Sequence, residues 1–222
     1  MKSYILITGG TGGIGSALAL SLKKLNFLPI VTFRKNKDRA DEIVHKTGGE
    51  SFYLDLSDEK SISDIINHMN SKKLNIEGTV LAASFPLELK PFKEVSTQDM
   101  KNHFVTSVTG HGKLLSLLIQ NYFKANRRGK VIGILSEAMG VGDTANLGMM
   151  SHYIVSKYAL MGLLKALKKE NNYLEINTIS PGFTNTEMLR NAFDERFLEI
   201  LRKDNKISEP QEVAEMILEQ LQ

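Results

Sequence analysis

The sequence predicts an α/β protein, a doubly wound parallel sheet of six strands with helices on both faces. Three observations carry this reading. Short apolar runs rich in β-formers alternate with stretches of helical periodicity along the chain. The first strand-to-helix junction is the glycine-rich run Gly9-Gly10-Thr11-Gly12-Gly13-Ile14-Gly15. The length, 222 residues, suits a single domain over residues 1–222 and leaves no room for a separate substrate domain. Such alternation requires right-handed crossovers, and it puts the ligand crevice at the carboxyl ends of the strands.

In the first unit Tyr4-Ile5-Leu6-Ile7-Thr8 reads as a strand, the glycines as a tight turn, and Ile14, Leu18, Leu22 and Leu25 recur at helical spacing. Glycines let backbone N–H groups approach an anion, and the new helix presents its unpaired N–H groups and positive dipole end to the same point. A diphosphate is the natural occupant, although such turns also join strands to helices without a ligand. Leu28 to Phe33 is the second strand, ending at Arg34-Lys35-Asn36-Lys37. In a dinucleotide fold this strand end meets the adenosine ribose, where a carboxylate suits a free 2′-hydroxyl and a cation suits a 2′-phosphate. Arg34 and Lys35, with no acid before Asp38, therefore predict NADP(H) in preference to NAD(H); solvated loop cations are the alternative account.

A helix from Asp38 stops at Thr47-Gly48-Gly49, where a left-handed residue is favoured. Ser51 to Leu54 is the third strand. The Asp55 carboxylate that follows can accept from an adenine amino group or cap its own loop, and Ser57 or Asp58 can cap the helix running to Met69. Thr79 to Ala83 is the fourth strand, its small Ala82 and Ala83 allowing the backbone to pass close beneath a ligand. A proline-marked loop with Pro86 and Pro91 leads to a long helical stretch from Thr97 to Asn126. Lys130 to Leu135 is the fifth strand and ends at Ser136-Glu137. The loop from Ala138 to Met150 carries Met139, Met149 and Met150, which suit either an adaptable apolar pocket or core filling. Ser151 can cap the next helix, which carries Tyr153 and Lys157; Glu175 to Ile179 is the sixth strand. One further helix runs to Arg202, and a last one starts at Pro210, since proline suits a first helical turn.

Hydrophobic residues at 42% and charged residues at 24% are ordinary for a folded protein with a substantial core. The net charge of +3 is scattered in short basic pairs, with no basic stripe interleaved with aromatics, so no nucleic-acid partner is expected. The absence of cysteine excludes disulfides, thiolate metal sites and thiol catalysis. No run approaches the roughly 18 apolar residues of a membrane span, and the apolar start stops at the glycine turn, so a cytoplasmic protein with no membrane association is expected.

Tyr153 and Lys157 stand four apart on a predicted helix and project from one face. A phenol titrates near pH 10, and a neighbouring ammonium stabilises the phenolate and draws that value toward the working range. The pair follows the fifth strand, at the expected crevice.

With these residues in view the whole chain resembles the short-chain dehydrogenase/reductase family in its short form. Thr8-Gly9 through Gly13-Ile14-Gly15 is similar to the family's TGxxxGxG pattern, Asp55 to its adenine-site acid, Tyr153 to Lys157 to its YxxxK, and Pro181-Gly182-Phe183-Thr184-Asn185-Thr186 to its PGxxxT. The resemblance implies a Rossmann-type sheet of order 3-2-1-4-5-6 and hydride transfer between a nicotinamide and a carbonyl or alcohol. It implies that Tyr153 delivers the proton, that Lys157 binds the nicotinamide ribose and lowers the phenol's pKa, and that Thr186 and the backbone at Thr184 hold the carboxamide. The cofactor wall it implies comprises Gly9, Thr11, Gly12, Gly13, Ile14, Gly15, Arg34, Lys35, Asp55, Leu56, Ala82 and Ala83, together with Tyr153, Lys157, Pro181, Gly182, Phe183, Thr184 and Thr186.

Departures from the family pattern stand beside the matches. Leu81-Ala82-Ala83-Ser84 occupies the place of the usual NNAG, and Ser107 replaces the usual catalytic asparagine. The substrate-orienting serine aligns with Ser136 by strand end, or its place falls on Glu137 by the following Ser-x-x-Gly spacing; an anion there opposes alkoxide formation. The expected catalytic set is Ser136, Tyr153, Lys157 and Ser107. The expected function is NADPH-dependent reduction of a small carbonyl substrate, a 3-oxoacyl thioester or similar ketone, as in the 3-oxoacyl-(acyl-carrier-protein) reductases. Substrate loops are expected at 84–95, 137–151 and 184–206. A non-catalytic NADP-binding protein and a sugar-nucleotide modifying enzyme are the competing readings. The family's seventh strand is expected to be missing, and a homodimer through the helices carrying Ser107 and Tyr153 is expected.

Overall fold

The computed structural model describes residues 2–140 and 145–222. Its elements in chain order begin β1 (Ser3–Thr8), α1 (Gly13–Ser21), β2 (Phe27–Phe33), α2 (Lys37–Thr47), β3 (Glu50–Tyr53), α3 (Glu59–Ser71) and β4 (Asn75–Leu81). A long helical rod follows: α4 (Thr97–Phe104), a π-helical segment (Val105–Gly110), α5 (His111–Leu118), a second π-helical segment (Ile119–Phe123) and α6 (Lys124–Asn126). The remainder comprises β5 (Gly129–Ile134), α7 (Ser151–Glu170), β6 (Leu174–Ile179), β7 (Phe183–Thr184), α8 (Glu187–Ala192), α9 (Glu195–Lys203), β8 (Ile207–Ser208) and α10 (Pro210–Leu221).

The main sheet has six parallel strands in the order β3-β2-β1-β4-β5-β6, as the sequence predicts. Ile5, Leu6 and Ile7 of β1 are all fully buried, which a central strand covered on both faces requires. Alternation then sends Tyr4 and Leu6 into one apolar layer and Ile5 and Ile7 into the other. The first layer packs against α3, α5 and α7 through residues such as Ile65, Leu114 and Leu160; the second packs against α1, α2 and α10 through Leu18, Ile43 and Ile217. Each fully buried aliphatic side chain contributes roughly 1.5–3 kcal/mol, so both layers are needed to hold the sheet between its helices.

Several boundaries differ from the expectation. β4 starts at Asn75 because it pairs with β1 from Ser3 onward, and it ends at Leu81, leaving Ala82 and Ala83 in the following loop. Asp58, and not Ser57, caps α3 by accepting from the Lys60 N–H. Ser151 is not a cap: Met150 holds that position, and the Ser151 hydroxyl is buried without a partner among the described residues. The single helix expected up to Arg202 is two helices, broken where Phe193 turns extended and Asp194 caps α9 through the Phe197 N–H at 2.8 Å. Phe193 at the break stacks on Phe197, their centroids 4.9 Å apart. Two short strands were not foreseen: β7 and β8 pair in parallel as a separate small sheet, beside a six-stranded main sheet that has no seventh strand among the described residues.

Candidate active site

At the carboxyl ends of the strands lies a crevice of about 1280 Å³, beyond the ~300–1,000 Å³ of ordinary small-ligand pockets and suited to an extended molecule. One end is the glycine turn. Gly9 stands at φ +63°, a left-handed conformation that favours glycine, and a side chain there would meet the Ala83 backbone at 2.8 Å. Gly15 faces the turn's own carbonyl, the Gly9 oxygen, at 2.4 Å from where a Cβ would stand. Removing these side chains folds the chain tightly enough for Gly12 N–H to donate to Gly9 O at 2.9 Å and for α1 to start at Gly13, its N-terminal N–H groups facing the crevice wall. Thr186 closes over the turn, its methyl 2.5 Å from where a Cβ on Gly13 would lie, and its hydroxyl accepts from the Leu189 N–H to cap α8.

The other end gathers Ser136, Tyr153 and Lys157. Lys157 is 4% exposed; its Nζ donates to the Ile134 carbonyl at 2.8 Å and lies 5.4 Å from the centre of the Tyr153 ring. Burial lowers its pKa to about 8. Loss of solvent pushes the Tyr153 phenol above its ordinary value, and the hydroxyl of Ser136 beside it pulls in the opposite direction. The expectation that Lys157 draws the phenol down is thus not met by the chain alone: the hydroxyl, not the ammonium, opposes the burial. The same contact places Ser136 at the phenol. Glu137 also lines the crevice, its carboxylate against Gly182, where a Cβ would meet Oε2 at 2.7 Å.

The crevice wall includes Gly9, Thr11, Gly12, Gly13, Ile14, Gly15, Ala82, Pro181, Gly182, Phe183, Thr184 and Thr186. Six expected residues do not line it. Ser107 is wholly buried in the first π-helical segment, its hydroxyl without a partner among the described residues. Leu56 is buried in the apolar layer under α3 and α5. Asp55 Oδ1 accepts from both the N–H and the hydroxyl of Ser57, so the carboxylate holds its own loop; burial raises its pKa, but those bonds and the Arg34 charge bring it below the ordinary value. Ala83 packs on Gly9 and donates its N–H to Thr8 Oγ1. Arg34 and Lys35 are exposed beyond β2.

The cation that does line the crevice is Arg39, whose Nη2 donates to Ser16 Oγ at 3.1 Å. The signal for it was periodicity: Ala40 and Ile43 take the buried face of α2, which turns Arg39 toward α1. The apolar rim was equally unforeseen. Leu87, Met150 and Ala138 form a small cluster against Tyr153, Leu147, Met188 and Phe193. Of the three loop methionines, Met150 lines the crevice, Met139 is in the core and Met149 is exposed. Within the expected 137–151 loop, residues 141–144 lie outside the described residues. Among the described residues no cluster of three or more histidine, aspartate or glutamate side chains is arranged to hold a metal, and no helix is long and apolar enough to cross a membrane.

Comparison with known proteins bears on the family and the fold. A family model described as short chain dehydrogenase matches residues 3–196. The 3-oxoacyl-(acyl-carrier-protein) reductase of Aquifex aeolicus is 29% identical over 224 residues, covering 96% of this chain and 87% of that protein. The 2,5-dichloro-2,5-cyclohexadiene-1,4-diol dehydrogenase of Sphingobium indicum is 24% identical over 220 residues, covering 95% of this chain and 86% of its own length. Among solved structures, a single-residue variant of actinorhodin polyketide ketoreductase with NADPH superposes with a TM-score of 0.88 at 20% identity, covering 100% of this chain and 90% of that one.

Proposed function

This chain belongs to the short-chain dehydrogenase family, and on that premise we propose that it is an NADPH-dependent carbonyl reductase with Tyr153 as proton donor. Membership makes it an NAD(P)-dependent oxidoreductase in general terms. The finer reading rests on one observation: Ser136, Tyr153 and Lys157 share a crevice whose other end is the glycine turn at the start of α1. The donor set fits a dinucleotide. Gly9 to Gly15 and the α1 N-terminus would hold the diphosphate, Arg39 with Ser16 would hold a 2′-phosphate, and Thr184 and Thr186 would border the nicotinamide. When bound, NADPH supplies the hydride to the carbonyl carbon.

The chain's own residues do the rest. The hydroxyl of Ser136 donates to the carbonyl oxygen and holds it beside the phenol. Tyr153 gives its proton to that oxygen as negative charge develops there, so the carbonyl becomes an alcohol. The Lys157 ammonium, still largely protonated at pH 7, would hold the nicotinamide ribose, and only with the cofactor in place would its charge help stabilise the phenolate left behind. The apolar rim around Leu87, Met150 and Phe193 favours a partly apolar ketone. The several reductases of 3-oxoacyl and acetoacetyl thioesters among the relatives support a 3-oxoacyl thioester as substrate. We place the protein in the cytoplasm as a homodimer packed through α4, the first π-helical segment and α7. These elements pack on each other and leave Phe104, Val155 and Tyr158 exposed.

The test is NADPH oxidation followed by absorbance with a panel of ketones and 3-oxoacyl thioesters. Tyr153→Phe is expected to lower turnover by ~10²–10⁴-fold while NADPH binding is kept. Tight NADPH binding with no turnover on any substrate would instead favour a non-catalytic nucleotide-binding protein. That reading draws on the Ser107 hydroxyl, which lies off the crevice wall.

A further inference from the structure

His111 begins α5 and is wholly buried. Its Nδ1 lies 3.2 Å from the Ser107 carbonyl, and its Nε2 lies 2.9 Å from Thr8 Oγ1. A carbonyl only accepts, so Nδ1 carries the ring's proton; Nε2 is then an acceptor, and the Thr8 hydroxyl donates to it. Burial lowers the ring's pKa to about 4, which keeps the ring neutral at pH 7, and the Ser107 carbonyl fixes the tautomer. With its hydrogen committed to Nε2, Thr8 Oγ1 accepts the Ala83 N–H at 3.1 Å.

These bonds join three separate pieces of the site. Thr8 is the last residue of β1, immediately before the glycine turn; Ala83 follows β4; Ser107 lies in the π-helical segment. The Ala83 backbone lies against the turn, its Cα 2.8 Å from where a Cβ on Gly9 would stand. A competing acceptor for the Thr8 hydrogen, the Val80 carbonyl, stands farther off at 3.4 Å. Without the imidazole the hydroxyl turns to that carbonyl, and its lone pairs rotate away from the Ala83 N–H.

We propose that His111 is a positioning residue for the dinucleotide, fixing the Thr8 hydroxyl and through it the Ala83 backbone and the glycine turn. The inference rests on the nucleotide-binding reading above and adds a residue to it that touches neither cofactor nor substrate.

Two substitutions separate the halves of the imidazole. A glutamine at 111 carries its amide near the place of Nε2 and can accept from Thr8; an asparagine carries its amide near the place of Nδ1 and can reach only the Ser107 carbonyl. NADPH binding to the full chain, read by fluorescence titration, is expected to weaken about tenfold in His111→Phe, the scale of one buried hydrogen bond lost. His111→Gln should bind within about threefold of the unsubstituted protein, and His111→Asn should resemble His111→Phe. Adding Thr8→Val to His111→Phe should weaken binding by less than about twofold more, because both changes remove one contact.

A folded His111→Phe that binds NADPH as the parent does overturns the inference and leaves the functional reading intact. Rescue by asparagine and not by glutamine also overturns it, since the Ser107 bond would then be the one that matters. If the phenylalanine variant does not fold, the ranking of glutamine against asparagine decides; if none of the three folds, the role is structural and the inference falls. A parent protein that binds no NADPH removes the functional reading, and this inference with it.

Discussion

At the scale of single residues, burial decides what each titratable group can do. His103 is 2% exposed, and burial, with the charges of His152 and Lys157, lowers its pKa to about 4. The unfolded chain binds a proton on this ring near pH 6.5, and the folded one does so only near 4, so stability is lost as pH falls through that window. Over the whole window the ring contributes up to about 3 kcal/mol of this loss. Calorimetric Tm measured from about pH 7 to about pH 4.5 is therefore expected to fall, and to fall less steeply in His103→Phe; an unchanged slope would show the ring titrates normally. Arg39 has the opposite character, an exposed guanidinium that the proposed function assigns to a 2′-phosphate. Arg39→Ala is expected to raise KM for NADPH by ~10–100-fold, the range for a charge-assisted hydrogen bond, and to leave KM for NADH within about twofold. A parent enzyme that binds NADH more tightly than NADPH would refute the 2′-phosphate role. The shared helix face of Tyr153 and Lys157 was legible from their spacing and its place after the fifth strand, whereas the direction in which burial moves the phenol was not, because desolvation depends on residues far apart in sequence.

At the scale of elements, local signals placed the starts and stops, and packing decided the rest. Ser96 and Asp99 make a reciprocal capping box at the start of α4, and Gly48 closes α2 at φ +69°. No local signal announced the π-helical segment at Val105–Gly110, which carries Ser107 into the interior. Gly110 in that segment sits against the Leu56 carbonyl, which a Cβ would meet at 2.2 Å. Gly110→Ala is expected to destabilise the protein by about 1–3 kcal/mol, read as a lower urea midpoint at unchanged m-value. A midpoint equal to the parent's would mean that the loop after β3 yields freely. The break between α8 and α9 was equally hidden: Asp194 is a good cap in sequence, but the stacking of Phe193 on Phe197 that accompanies the break is a contact no local pattern announces.

At the scale of the whole molecule, two apolar layers hold one sheet whose carboxyl ends open into the crevice, and the proposed homodimer would cover what those layers leave exposed. Phe104, Val155 and Tyr158 stay 41–49% exposed on helices that pack together, so light scattering at micromolar concentration is expected to give the mass of two chains. A tetramer or a monomer would count against that surface. The alternation of strands and helices, the glycine turn and the Tyr153–Lys157 face were determined by the sequence itself, because periodicity and turn chemistry are local properties that neighbouring residues impose on one another, while the strand order came with the family resemblance. The presence of Arg39 on the crevice wall with Arg34 and Lys35 off it, the withdrawal of Ser107 and Leu56 into the core, the contact of Ser136 with the phenol, and the link from His111 to Thr8 were decided only by tertiary structure. Each depends on where a side chain meets groups tens of residues away, and no spacing along one segment encodes that distance.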